Sequence, residues 1–241
     1  MSGAAVGNVG GGQGRAAQPT CDSGSRITRS LLGYGVLAGP FYVAIVLGQA
    51  LTRPGFNLSG DDASLLANGN LGWIQIANFL LTGLMVIACA VGVRRALSRG
   101  RGAVWGPLLL AVYGVGLIGA GVFVADPMNG FPPGAPAGRP ETITTHGLLH
   151  ITFAGIGFLC FVAACFALAR RFSAEGRRGW ARFSVATGTI FLVAFAGVAS
   201  GSSSPIVIGA FWVGLIVAWA WIGLLSRHLY SLAGTSREIP G

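Results

Sequence analysis

Six stretches of about twenty residues, apolar throughout and free of charge in their interiors, recur along this chain between short polar or Gly/Pro-rich segments. They run from Leu31 to Leu51, Gly72 to Val93, Val104 to Val124, His146 to Ala169, Phe183 to Ser200 and Pro205 to Leu225. A helix needs about 20 such residues to cross roughly 30 Å of hydrocarbon, so each stretch predicts a membrane-spanning helix. The expected fold class is all-α, a polytopic membrane protein built as a bundle of six transmembrane helices over residues 31–225. Residues 1–30, rich in Gly, Ala and Ser, are expected to form a disordered cytoplasmic tail, and residues 226–241 a short cytoplasmic one.

Composition agrees with this pattern. Of 241 residues, 53% are hydrophobic and 10% charged, and the mean hydropathy is +0.68, far too apolar for a soluble domain. The spans leave no segment long enough for an independent soluble core.

Charge adds the orientation. The net charge of +9 rests on 16 basic residues, all of them Arg, a balance that by itself suggests nucleic acid. Their positions exclude that reading. Arg15, Arg26 and Arg29 precede the first span, Arg94, Arg95, Arg99 and Arg101 follow the second, Arg170, Arg171, Arg177, Arg178 and Arg182 follow the fourth, and Arg227 and Arg237 follow the sixth. Arg53 and Arg139 lie on the other side. The excess of Arg on cytoplasmic loops predicts a multi-pass protein with both termini in the cytoplasm and its Arg clusters against anionic membrane lipid.

The cysteines change little. Cys89, Cys160 and Cys165 fall inside spans and Cys21 in the first tail, so neither a disulfide framework nor a C-x-x-C metal or redox pair is expected. The connection from Thr52 to Leu71 is too long for a plain hairpin and is expected to cap the bundle or form a short interfacial helix. Glycines at 114, 116, 119 and 121 predict close helix contacts for the third span and a place at the bundle centre.

Candidate chemistry collects at one end. Gln75 and Asn78, three residues apart, share a face of the second helix, either bonding between helices or lining a cavity. His146 and His150 share a face of the fourth helix about 6 Å apart along its axis, behind Thr144 or Thr145 as cap. That is metal-ligand spacing, and Asp126 at the other end of the same Gly/Pro-rich connection offers a carboxylate. Three such ligands with an open position would suit zinc or another divalent metal. The bland alternative has the histidines bonding loop carbonyls or carboxylates. Haem is not expected, since His228 lies about a bilayer away. No charge sits mid-span, as proton-coupled transport would require, and no G-x-S-x-G elbow surrounds the Ser200–Ser204 turn.

Leu51-Thr52-Arg53-Pro54-Gly55, Trp73 to Asn78, Asp126-Pro127 with Gly130-Phe131-Pro132-Pro133-Gly134, and His146-Gly147-Leu148-Leu149-His150 together resemble domain-of-unknown-function family 998, uncharacterised bacterial membrane proteins. The resemblance covers roughly residues 30–227. It implies a helical membrane domain of this size and assigns Asp126, His146 and His150 to the family pattern, without an activity.

Two functions from different classes follow. The first is a protein without a cofactor that binds a lipid, another small ligand or a partner subunit in an outward-facing polar vestibule including Arg53, Gln75, Asn78, Asp126, His146 and His150. The second is a membrane-embedded metal-dependent hydrolase acting on a lipid-like substrate through His146, His150 and Asp126. The oligomeric state is left open.

Overall fold

A computed structural model of the protein describes residue 3 and residues 23–97, 99–100 and 102–235. The described chain is helical, with six long helices: α1 (Ser23–Thr52), α2 (Gly72–Ala96), α3 (Trp105–Val122), α4 (Thr145–Ala174), α5 (Arg178–Ala199) and α6 (Pro205–Thr235). All six are long and apolar enough to cross a membrane. The shortest, α3 with 18 residues, rises about 27 Å, slightly less than the roughly 30 Å of hydrocarbon and near the lower limit of length for a membrane helix. The longer α1 begins at Ser23, inside the segment expected to be disordered, because Arg95 crosses from α2 to bond Thr28 Oγ1 at 3.0 Å and hold its first turns. Cys21 and Arg101 lie outside the described residues.

The helices form a ring. Each packs against its neighbours in chain order, and α6 closes the circle against α1. Ser25 Oγ donates to Ala233 O at 2.9 Å, so the two ends of the described chain meet at one pole. That pole, with the α2–α3 and α4–α5 turns, is called the terminal end below, and the opposite pole the cap end.

α3 therefore does not occupy the centre that its glycines predicted. Those glycines instead press it onto both neighbours: a Cβ on Gly114 would lie 2.8 Å from Gly83 O in α2, and one on Gly116 2.8 Å from Gly157 Cα in α4. Aromatic rings fill the middle of the ring. Tyr113 packs against Phe161 at 5.2 Å and Trp219 at 6.0 Å, and Trp219 against Tyr42 at 5.0 Å. Toward the cap end this filling stops, and a cavity replaces it.

Candidate functional site

The cap is built from the α1–α2 and α3–α4 connections, knitted by polar groups of which Arg53, Asp61, Asn68 and Asp126 are buried. Within the first, residues Ala63–Ala67 form a 3-10 turn that buries Leu65 and Leu66 completely and so plugs part of the ring. Asp62 caps it, accepting from Ser64 N at 2.9 Å. The Arg53 guanidinium donates to the carbonyls of Leu66 and Asn68 and lies 4.8 Å from the centre of the Phe131 ring in the second connection. Burial lowers its affinity for a proton. Asp61 accepts from Asn57 N at 2.8 Å, but burial outweighs this bond and raises its pKa.

Three further contacts join the pieces. Asn129 Nδ2 donates to Gly60 O at 3.1 Å, and Trp212 Nε1 of α6 donates to Asp61 O at 3.3 Å. The Arg139 guanidinium rests on the α5–α6 turn at Gly201, where φ is +88° and any Cβ would collide with it.

Asp126 organises the entry into α4. One carboxylate oxygen accepts from Thr144 N at 3.0 Å and the other from Thr144 Oγ1 at 2.5 Å. Thr144 in turn is the N-cap, its hydroxyl accepting from Gly147 N at 3.0 Å. Residue 147 must be small, since a Cβ there would run into the Asp126 carboxylate. One turn on, His150 Nδ1 stands 3.0 Å from Ala120 O and 2.8 Å from Phe123 O. These are carbonyls of the last turn of α3 and its cap, which the helix itself cannot satisfy.

Below the cap lies a cavity of about 570 Å³. Its α4 wall is the face carrying Gly147, His150, Ile151, Ala154, Gly155 and Phe158, the i, i+3, i+4 series of one helical stripe. Leu117 and Ala120 of α3, Phe195 and Val198 of α5, and Phe211 and Leu215 of α6 supply the other apolar walls. Tyr42 and Tyr113 reach it from the aromatic core; the Tyr113 hydroxyl is buried and has no hydrogen-bond partner. The charged lining residues, Asp62, Asp126, Arg139 and Glu141, are gathered at the cap with Ser64. The opening is marked by lining residues that are exposed, Ile143 at 61% and Ile151 at 56%.

The structure divides the residues that the sequence singled out. Asp126 and His150 line the cavity. His146 is exposed, with its ring 5.7 Å from that of Phe123, and is not part of the lining. Arg53 is occupied in the cap. Gln75 and Asn78 are buried in a chain of bonds between helices: Gln49 Nε2 donates to Gln75 Oε1 at 3.1 Å, Asn78 Nδ2 to the same oxygen at 3.2 Å and to Tyr42 O at 3.3 Å, and Thr82 Oγ1 to Asn78 Oδ1 at 3.2 Å. They serve the α1–α2 contact and do not reach the cavity.

No set of three His, Cys, Asp or Glu side chains able to hold a metal occurs among the described residues. Both oxygens of Asp126 are engaged by Thr144, Nδ1 of His150 is engaged by carbonyls, and His146 is exposed outside the cavity lining. The zinc-like triad suggested by spacing alone is not assembled.

The cavity walls were not singled out from the sequence. The available signal was the run of small residues Gly147, Ala154 and Gly155 on the His150 face of α4, which leaves room where neighbouring helices would otherwise fill it.

A search of the curated proteins and a search of the solved structures find no match. The family described as "Protein of unknown function (DUF998)" matches residues 36–228, which takes in all the cavity-lining residues, and the chain belongs to that family.

Proposed function

We propose that this chain is a multi-pass protein of the bacterial plasma membrane, with cytoplasmic termini, that binds one amphipathic small molecule at the cap end of its helical ring. The observation that carries this reading is the cavity. Its volume of about 570 Å³ falls within the roughly 300–1,000 Å³ of small-molecule sites, and such sites in helical bundles lie between helices.

Chemistry supplies the orientation. Phe158, Phe195, Phe211 and Leu215 offer an apolar interior, with the tyrosines Tyr42 and Tyr113 at its inner end, while the charged groups stand at the cap. A molecule with an apolar body and a polar head satisfies both regions, its body inward and its head beneath the two loops. The exposed Ile151 puts part of the opening on the flank of α4, where an amphiphile enters from the membrane without crossing water.

The test extracts the protein with its surrounding membrane in a styrene–maleic acid copolymer and compares co-purifying amphiphiles by mass spectrometry. The wild-type chain is expected to retain one species near one equivalent, and Ala154→Trp, which fills the cavity from the α4 wall, to lose it. Equal retention by both proteins, or no species enriched above bulk lipid, overturns the reading.

A further inference from the structure

Resting on that reading, we propose that the ligand's polar head carries an uncharged hydroxyl group, an alcohol or phenol, and that Nε2 of His150 is the acceptor that selects it. His150 is 5% exposed, lines the cavity, and has one ring nitrogen already committed. Ala120 O and Phe123 O can only accept, so Nδ1 must be the protonated nitrogen. In the neutral ring Nε2 is then a bare acceptor, and no protein donor reaches it among the described residues. The Nδ1–H donation shared between two carbonyls at the end of α3 fixes the ring's orientation, so this acceptor is held in place before any ligand arrives.

An unpartnered acceptor on a buried residue in a largely apolar wall rewards a ligand donor and gains nothing from a ligand that brings only another lone pair. The charge at the cap narrows the choice further. Asp62, Asp126 and Glu141 line the cavity beside a single Arg139, so an anionic head meets more negative charge than positive. Asp126 has both oxygens bonded to Thr144, whereas Nε2 of His150 is an open acceptor on a ring already held by the end of α3. A neutral hydroxyl answers every one of these conditions, and a carboxylate or phosphate does not.

Three probes of equal chain length separate the possibilities: dodecanol, dodecyl methyl ether and dodecanoate, titrated into the full chain in lipid nanodiscs. Binding to Ala154→Trp and to Gly155→Leu serves as the baseline for partition into lipid. At Gly155 a Cβ would be 3.9 Å from its nearest neighbour, Phe195 Cζ, so the backbone accepts a side chain there. Dodecanol is expected to bind the wild type roughly tenfold more tightly than the ether, the order of one hydrogen bond with a buried acceptor, and dodecanoate more weakly than dodecanol. In His150→Leu the alcohol-to-ether ratio should fall to about one while binding of the ether persists. A second readout needs no variant: the histidine ¹⁵N signal of unprotonated Nε2 should shift on adding dodecanol and stay in place with the ether.

Equal binding of alcohol and ether to the wild type, or preference for dodecanoate, overturns the hydroxyl assignment while leaving the cavity reading intact if both filled variants still lose the probes. Probe binding undiminished in both filled variants, or no binding above the baseline by any probe, overturns the cavity reading itself and the hydroxyl assignment with it.

Discussion

Gly116 and Gly157 meet where α3 crosses α4, and the fit between them sets how near His150 stands to the carbonyls it bonds. A Cβ on Gly116 would be 2.8 Å from Gly157 Cα and 2.8 Å from Phe153 O, both in α4 and neither a flexible side-chain end. Gly116→Ala must therefore push the helices apart. Overpacking of this kind costs about 1–3 kcal/mol, against a helix-propensity gain of at most about 1 kcal/mol. A lower midpoint of thermal unfolding in nanodiscs is expected for Gly116→Ala. At Gly155, whose new Cβ would find only Phe195 Cζ at 3.9 Å, alanine should hold or raise the midpoint. If both variants behave alike, close packing at the α3–α4 crossing is not what the glycines supply.

The first turn of α4 and the cap loops form the next level, and each depends on one carboxylate. Removing the Asp126 side chain strips Thr144 of two bonds and loosens the N-cap that positions His150, at a cost of about 1–3 kcal/mol. Asp126→Ala should show faster amide exchange over residues 144–150 by mass spectrometry, with exchange in the middle of α5 unchanged; uniform acceleration would mean general destabilisation instead. Asp61 acts through pH. Its pKa is raised in the folded chain by burial, so the folded state binds the proton more tightly than the unfolded one. Stability contributed by the protonated form is present at low pH and declines as pH climbs from the usual carboxylate range to the raised value. Unfolding followed across the mildly acidic range should show that decline, and Asp61→Asn should flatten it; an unchanged slope in the variant assigns the effect elsewhere. These elements also show what a sequence discloses. The six helices were legible because an unbroken apolar run in lipid has few alternatives, and Asp126 and His150 were legible because a charge and an imidazole at a span's edge are costly without a role. Spacing could place His146 and His150 on one broad face but could not tell that the cavity wall bends away from His146 toward Ile151 and Ala154. Nor could it show that Gln75 would be consumed by Gln49 from another helix.

At the scale of the whole molecule, closing the ring by α6 against α1 puts both ends of the described chain at one pole and the cavity's polar lining at the other. The same division sorts the charge. Every described Arg except Arg53 and Arg139 adjoins the terminal end, whereas Arg53 is bonded in the cap to the carbonyls of Leu66 and Asn68 and Arg139 lies exposed over the α5–α6 turn at Gly201. Reversing the bundle would require the short Arg-rich connections after α2 and α4 to be translocated, against the bias that keeps Arg in the cytoplasm during insertion. An intermediate placement, with those Arg in hydrocarbon, costs about 2.5–3.5 kcal/mol each near the centre of a span, so the chain has two discrete orientations and a strong preference between them. Alkaline phosphatase, active only after export, reads that preference directly. Fused after Gly134, in the α3–α4 connection, it should be active, and fused after Gly176, between α4 and α5, it should be inactive. The opposite pattern would turn the cap and its cavity toward the cytoplasm, and the amphiphile would then be drawn from the inner leaflet, past Ile151, instead of from the outer one.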